Sequence, residues 1–455
     1  MNYQYDAIVI GTGQAGPPLA RRLAAAGQRV AIVERKLFGG TCVNTGCIPT
    51  KAMVASAYAA RMAQRAAEYG VTISGGVAVD MKRVKARKDA ILGKSRDGLE
   101  QSLKTLENCT VYQAHARFVS PDSVSIGTDT LTAKQIFIDV GGRAAVPAIP
   151  GLDQTGYLNN SDMMEVDFIP RHLIVVGGSY IGLEFAQMFR RFGSEVTILE
   201  RGSRLVPNED EDVSAAMKEF LEAEGIDIRL NAKSLEFSKE SGDVIARGDG
   251  LAPVSGSHVL IAAGRRPNTD DLGLENAGVK ANERGFIEVD DELRTSVPGI
   301  WALGDCNGRG AFTHTSYNDF EIVAANLLDS DPRKVSDRIV TYAIYTDPPL
   351  GRAGLTEAAV RKTGKPALIG MRPMTKVGRA VEKGETYGFM KILIDTETKL
   401  ILGAAILGTG GDEAIHCILD VMYARAPYTV IQRAVHIHPT VSELIPTMLG
   451  DLRPL

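Results

Sequence analysis

The stretch Asp6-Ala-Ile-Val-Ile10-Gly11-Thr-Gly13-Gln-Ala-Gly16 decides the fold. Asp6–Ile10 is a short, mostly apolar run of the kind that forms a buried strand. It ends in a G-x-G-x-x-G turn formed by Gly11, Gly13 and Gly16. A helical pattern follows to about Ala26, and Gly27 stops it. A second strand, Arg29–Val33, ends at Glu34, 23 residues after Gly11. This βαβ spacing matches the dinucleotide fingerprint. The glycines permit a tight turn and close approach of a pyrophosphate, and the helix start adds N–H donors and a positive dipole end. Glu34 stands where a ribose hydroxyl is bound. A glycine turn alone would mean only a tight bend; the flanking strand, helix and acid favour the nucleotide site.

The pattern recurs 166 residues later. His172–Val176 reads as a strand, Gly177-Gly-Ser179-Tyr180-Ile-Gly182 opens a helix, and Glu195–Leu199 ends at Glu200, again 23 residues after the first glycine. Ser179 replaces the middle glycine, a small residue that only slightly crowds a phosphate. Two such units suggest two dinucleotides, one held tightly and one exchangeable.

With 455 residues, the length prior is about three domains. Apolar residues make up 44% and charged residues 23%, ordinary globular usage that excludes disorder, collagen and coiled coil. The 47 glycines are an excess, as expected of a chain with many tight turns and phosphate loops. A net charge of −4 speaks against a nucleic-acid partner. No apolar run of about 18 residues offers a membrane span, and no targeting segment is visible. The expectation is a soluble cytoplasmic protein. Pro147-Ala-Ile-Pro150-Gly151 reads as a linker and Asn268 to about Leu274 as an exit, giving segments 1–150, 151–270, 271–335 and 336–455. The last carries alternating runs, Met390–Ile394 and Ile401–Leu407, followed by helices.

Five cysteines are too few and too odd for a secreted disulfide scaffold. Two of them share the stretch Gly39-Gly-Thr41-Cys42-Val-Asn-Thr-Gly46-Cys47-Ile-Pro49-Thr-Lys51. On an ideal helix, Cα atoms five apart lie roughly 8.6 Å from each other, beyond the ~7 Å limit of a disulfide. Any bridge therefore needs a bent segment, and Gly46 and Pro49 permit one. A helix running on through Lys51–Tyr58 would aim its N-terminus at the sulfurs and favour a thiolate. The readings are a metal site, structural cysteines or a redox-active dithiol. With no second Cys or His pair nearby, the dithiol is favoured and no metal ligand is assigned. Cys109, Cys306 and Cys417 read as small packed hydrophobes.

This cysteine stretch resembles the active-site motif of the FAD-containing pyridine nucleotide-disulfide oxidoreductases. The resemblance runs over essentially the whole chain. Thr295…Gly304-Asp305 resembles the second FAD motif, Ala262-Ala-Gly264-Arg265-Arg-Pro267-Asn268 the end of the nucleotide insertion, and His438-Pro-Thr-Val-Ser-Glu443 the C-terminal signature. The wording is most similar to mercuric-reductase-like and dihydrolipoamide-dehydrogenase-like proteins. It implies an α/β architecture of two Rossmann-like nucleotide-binding domains plus a C-terminal α+β dimerisation domain.

The resemblance also implies a relay in which NAD(P)H reduces FAD, FAD reduces a Cys42–Cys47 disulfide, and the dithiol reduces the substrate. Gly11, Gly13, Gly16, Glu34, Thr41 and Asp305 would bind FAD. Gly177, Gly182, Tyr180, Glu200, Arg201 and Gly264 would bind NADH or NADPH. Glu200 favours NADH, whereas Arg201 and Arg204 could instead hold a 2′-phosphate. Cys47 would face the flavin and Cys42 would attack the substrate. His438, oriented by Glu443, would be the base, contributed across an obligate homodimer. His436 reads as structural. Lys51 and Glu184 would form an ion pair beside the flavin; the plainer alternatives are a helix-surface pair and, for Tyr180, a packed aromatic. The substrate would be a small disulfide or dithiol, with a metal ion or the lipoyl group of an acyltransferase complex as rivals. Leu449-Gly-Asp-Leu-Arg-Pro-Leu455 lacks the cysteine pair on which mercuric reductases rely, which weighs against mercury.

Overall fold

Buried apolar runs become parallel strands in both nucleotide units. The computed structural model describes residues 4–455. In the first unit the strands Tyr5–Ile10 and Val30–Glu34 pair in parallel, joined by the helix Gly16–Ala25. Their sheet continues through Cys109–Gln113 on one side and Asp129–Ile138 on the other. Asp129–Ile138 is shared. Its first half pairs with the antiparallel Ser123–Ile126, and its last residues pair with the late strand Ile300–Ala302. The chain thus leaves this sheet after Ile138 and returns to it at Ile300. The single tryptophan, Trp301, stacks on Phe137 at 5.0 Å and locks the returning strand in place.

The second unit is inserted between. Asp227–Arg229, Glu195–Leu199, His172–Val176 and His258–Ile261 form an all-parallel sheet in that order. A three-stranded antiparallel sheet, Glu236–Glu240, Asp243–Gly248 and Leu251–Gly256, precedes its last strand. Entry and exit are stitched together where Gly142–Ala144 pairs with Arg265–Pro267. The third sheet is antiparallel, from Thr341–Ile344 through Leu350–Gly354, Ile401–Leu407 and Phe389–Asp395 to Ala367–Pro373, with Arg453–Pro454 at its edge. Helices Gly411–Tyr423 and Leu444–Gly450 contribute Ile415, Ile418, Ile445 and Met448 to the core beneath it. The expected α/β class, with two nucleotide folds and a C-terminal α+β unit, is the observed one. No helix among the described residues is long and apolar enough to cross a membrane.

Buried charges tie the units together. Arg191, on the helix Tyr180–Phe192, pairs with Glu224 at 2.6 Å and with Asp347 at 2.8 Å. Gln187 on the same helix accepts the Asp347 backbone N–H at 2.8 Å. Arg352 and Lys391 of the third sheet reach Glu209 and Asp210 in the loop after Glu200. Arg352 and Glu209 are both fully buried. Breaking such a pair strands a charge away from water. Arg352→Ala is therefore expected to cost about 3 kcal/mol or more, measured as a fall in the denaturation midpoint. An unchanged midpoint would show that the pair does not hold these units together.

Candidate active site

One cleft of about 910 Å³ runs from Glu34, past Gly11, Gly13 and Asp305, to Cys42, Cys47, Lys51 and Glu184. Its floor is the first glycine turn. Gly11 has φ = +108°, a conformation that favours glycine, and a Cβ on Gly16 would collide with the Gly11 carbonyl. The second turn repeats this: a Cβ on Gly182 would collide with the Gly177 carbonyl. The two acids also match. Glu34 accepts the Thr12 backbone N–H at 3.1 Å and that of Lys36 at 2.8 Å. Glu200 accepts the Gly178 and Gly202 backbone N–H groups, each at 2.6 Å. These are equivalent positions of the two units, so each acid clamps its own turn while standing at the strand end.

The cysteines sit at a break between two helices. Gly40–Asn44 is a short helix, Gly46 interrupts it at φ = −132°, ψ = −115°, and Cys47–Gln64 begins a new one. A Cβ on Gly46 would lie 2.9 Å from the Thr41 carbonyl oxygen, so the break needs glycine there. Both cysteines are free thiols; Cys47 is exposed and Cys42 half-buried. They hydrogen-bond each other, and the pair shares one readily lost proton. The hydrogen bond from Cys42 brings the Cys47 thiol down to about 6, helped by Thr313 and Lys51. Cys42 is pushed up, because it holds its proton against the Cys47 thiolate and is partly buried. The free N-terminus of the helix Cys47–Gln64, which no side chain caps, favours the same thiolate.

Lys51, one turn along this helix, donates to both Glu184 oxygens at 2.9 and 3.2 Å. Glu184 is only 3% exposed and also accepts the Tyr345 backbone N–H at 2.9 Å. The Lys51 ammonium lies 4.4 Å above the Tyr345 ring. Asp305 is half-buried near Arg265 at 3.7 Å, and partial desolvation pushes its carboxyl up. Thr41 lines the same cleft, its Oγ1 3.4 Å from the Gly142 carbonyl. Tyr180 lines it too, tilted against Phe312 at 5.8 Å. Arg201 is exposed beside Glu200. Gly264 turns the chain from His258–Ile261 into Arg265–Pro267 with φ = +119°.

His438 and Glu443 are paired, Nδ1 to Oε2 at 2.9 Å. A carboxylate only accepts, so Nδ1 carries the proton and Nε2 is left as the basic nitrogen. The His438 side chain is 81% exposed, and neither residue is among those lining the cysteine cleft of the same chain. Among the described residues, no group of three or more His, Cys, Asp or Glu side chains could hold a metal.

Residues 5–319 match the family model described as pyridine nucleotide-disulphide oxidoreductase, and residues 340–449 match its dimerisation domain. The chain belongs to the pyridine nucleotide-disulphide oxidoreductases. This oxidoreductase is 36% identical over 448 residues to the probable pyridine nucleotide-disulfide oxidoreductase RclA of Escherichia coli strain K12, with 97% of each chain covered. It is 32% identical over 444 residues to the dihydrolipoyl dehydrogenase of Thermus scotoductus, covering 96% of this chain and 95% of the relative. A solved structure described as the Cu(II) complex of the HOCl-induced flavoprotein disulfide reductase RclA from Escherichia coli superposes with a TM-score of 0.90 at 35% identity, covering 99% of each chain. The oxidoreductase is accordingly an FAD-dependent, NAD(P)H-linked disulfide reductase.

The cleft fits a flavin dinucleotide. Its lining runs from Glu34 to Lys51, its glycine turn leaves no room for side chains, and the helix start keeps its positive dipole end, although Pro17 and Pro18 carry no N–H and Asp139 takes that of Gly16. Thr313, Tyr345, Phe312 and Asp139 also line this oxidoreductase's cleft, although no sequence pattern marks them; only the fold brings them to it. Thr313 is the most consequential, with its Oγ1 3.1 Å from the Cys47 sulfur. The Cys47 thiolate forms as pH rises through about 6. Removing one hydrogen bond to a charged sulfur shifts that titration by about one pH unit. Thr313→Val should therefore move the alkylation profile of the reduced protein upward by about that much. An unmoved profile would remove Thr313 from the site.

Proposed function

We propose that this oxidoreductase reduces a small disulfide through Cys42 and Cys47, with His438 and Glu443 supplied by a second copy of the chain. The carrying observation is the placement of the thiols: Cys42 and Cys47 flank the helix break at Gly46 in the cleft, with the Thr313 hydroxyl 3.1 Å from the Cys47 sulfur, and a lowered Cys47 and raised Cys42 thiol accord with it. Bound FAD supplies a carrier that accepts hydride from NAD(P)H and returns an electron pair to a disulfide. Gly11, Gly13, Gly16, Glu34, Thr41 and Asp305 would hold it, with Lys51 and Glu184 at the cysteine end. The segments 1–150 and 271–335 would together form its domain, with 151–270 for the nicotinamide dinucleotide and 336–455 for dimer contact.

The exchange follows from the proton positions. Cys42 cannot attack while protonated, so a base removes its proton. The thiolate displaces one half of the substrate disulfide, and the same proton passes to the leaving thiol. The Cys47 thiolate then attacks the Cys42 sulfur of the mixed disulfide, expelling the second half as a thiolate and leaving Cys42 and Cys47 joined. The dithiol gives the substrate two electrons and the Cys42 proton, and the second product thiolate takes its proton from solvent.

Within one chain the cleft offers His314, but its Nε2 is committed to the Thr341 carbonyl at 2.8 Å and burial pushes its pKa down. His438 has a free Nε2 and an oriented ring, and it projects outward beside the exposed Val435 and Ile437. That apolar face supports a homodimer. Five sparse cysteines without a disulfide framework favour a cytoplasmic setting.

Glu200 supports NADH as donor, because its clamped carboxylate fixes a negative charge at the strand end where a 2′-phosphate would lie. Arg204 is engaged with the Pro207 carbonyl at 2.9 Å and with Glu211 at 3.5 Å. The expected kcat/KM favours NADH; a tenfold preference for NADPH would overturn this. A second reading, reduction of a soft metal ion, is favoured by the Cu(II) complex of the Escherichia coli relative and by the exposed Cys47 sulfur.

Turnover with glutathione disulfide, lipoamide, Hg(II) and Cu(II) separates these readings. Cys42→Ser should lose disulfide turnover yet keep NADH oxidation by a quinone; retained disulfide turnover would refute the dithiol route. Mixed dimers of Cys42→Ser and His438→Ala chains should regain one competent site per dimer. Mixed dimers as inactive as either parent would contradict a base supplied in trans.

A further inference from the structure

Asp139 follows the shared strand Asp129–Ile138 and points beneath the first glycine turn. It is 5% exposed. Its Oδ2 accepts the Gly16 N–H at 2.8 Å, at the start of the helix. A Cβ placed on Gly13 would lie 2.8 Å from Oδ2, and one on Gly304 would lie 3.1 Å from Oδ1. One carboxyl group therefore touches both turns, Gly11–Gly16 and Gly304-Asp305, that the nucleotide motifs contribute to the cleft.

The groups facing it are acidic. Glu34 comes from the neighbouring strand, Asp305 from the second turn and Asp319 from the helix Thr313–Ala324. Cys306 is a buried neutral thiol close by. The nearest cations are already committed: Arg265 faces Asp305 at 3.7 Å and Arg338 pairs with Asp319. The Gly16 N–H and the helix end are what favour a charge on Asp139. Burial opposes it most strongly, followed by the three carboxylates, and the net direction is well above the usual range for an aspartate.

We propose that Asp139 holds a proton in the folded protein and that this proton belongs to the flavin dinucleotide site: a neutral carboxyl admits the diphosphate, whereas a carboxylate would repel it. Asp139 is thus a positioning residue that makes flavin affinity depend on pH. The diphosphate adds negative charge beside it and strengthens its hold on the proton. Above the pH at which the flavin-free protein releases this proton, each FAD bound takes one up from solvent. Affinity then falls with rising pH, by up to about tenfold per unit. Below that pH, affinity is flat with respect to this group.

The inference rests on the reading of the cleft as the FAD site, and the test separates the two. FAD binding to flavin-free protein is followed by fluorescence and by calorimetry in buffers of different ionisation enthalpy, from acid pH up to the highest pH at which the protein stays folded. Wild type should take up a proton on binding and lose affinity as pH rises. Asp139→Asn keeps the shape and accepts the same Gly16 N–H, but cannot ionise. It should bind FAD without this proton uptake and with a flatter profile. Wild-type binding with no proton uptake anywhere in this range would overturn the proposal while leaving the FAD site intact. Equal uptake in Asp139→Asn would also overturn it. Absence of FAD binding by wild type would overturn the reading of the cleft, and the proposal with it.

Discussion

The Glu184 carboxylate is the point on which the site depends. It is buried on the first helix of the second nucleotide unit. One partner, Lys51, belongs to the cysteine helix of the first unit, and the other, the Tyr345 N–H, follows the first strand of the third sheet. A buried carboxylate must be paired and hydrogen-bonded or it destabilises the fold. Meeting that demand brings all three units to one place, a turn away from Cys47. The same helix repeats the device at Gln187 and Arg191, both bound to Asp347. Positioning of the reactive sulfurs and docking of the units are thus one physical problem with one solution.

A second constraint divides labour between the thiols. The sulfurs are close enough to share a proton, so one is stabilised as a thiolate at the other's expense. The Thr313 hydroxyl lies 3.1 Å from the Cys47 sulfur, and the uncapped start of the helix Cys47–Gln64 favours the thiolate there. Cys42 is left as a thiol that needs a base, and in the cleft of a single chain His314 is held on the Thr341 carbonyl while burial pushes its pKa down. In the proposed reading the exposed His438–Glu443 pair of a second copy would supply that base. Electrostatics within the chain and the symmetry of the assembly would then be linked by this one proton.

Much of this was legible in the sequence. The glycine turns, the acids at Glu34 and Glu200, the cysteine stretch and the H-P-T-x-x-E signature are local patterns with local physical causes. The strands His172–Val176, Glu195–Leu199 and Ile401–Leu407 follow from short, largely apolar runs, and their observed bounds match the reading. What stayed hidden depends on contacts between distant segments. Thr313 lies 266 residues from Cys47, and nothing in Phe312-Thr-His314 marks a hydroxyl that meets the Cys47 sulfur. Asp139 ends an apolar run that reads simply as a strand. The stitching of Gly142–Ala144 to Arg265–Pro267 and the buried Arg352–Glu209 pair need a topology that no short motif encodes.

The most direct measurement is the redox state of each cysteine before and after anaerobic NADH, by differential alkylation and peptide mass mapping of the flavin-loaded protein. Cys42 and Cys47 should be joined in the oxidised protein and both alkylated after reduction, while Cys109, Cys306 and Cys417 stay unchanged. Cys42 and Cys47 in the same state before and after, with flavin reduced in between, would contradict a dithiol relay at this site.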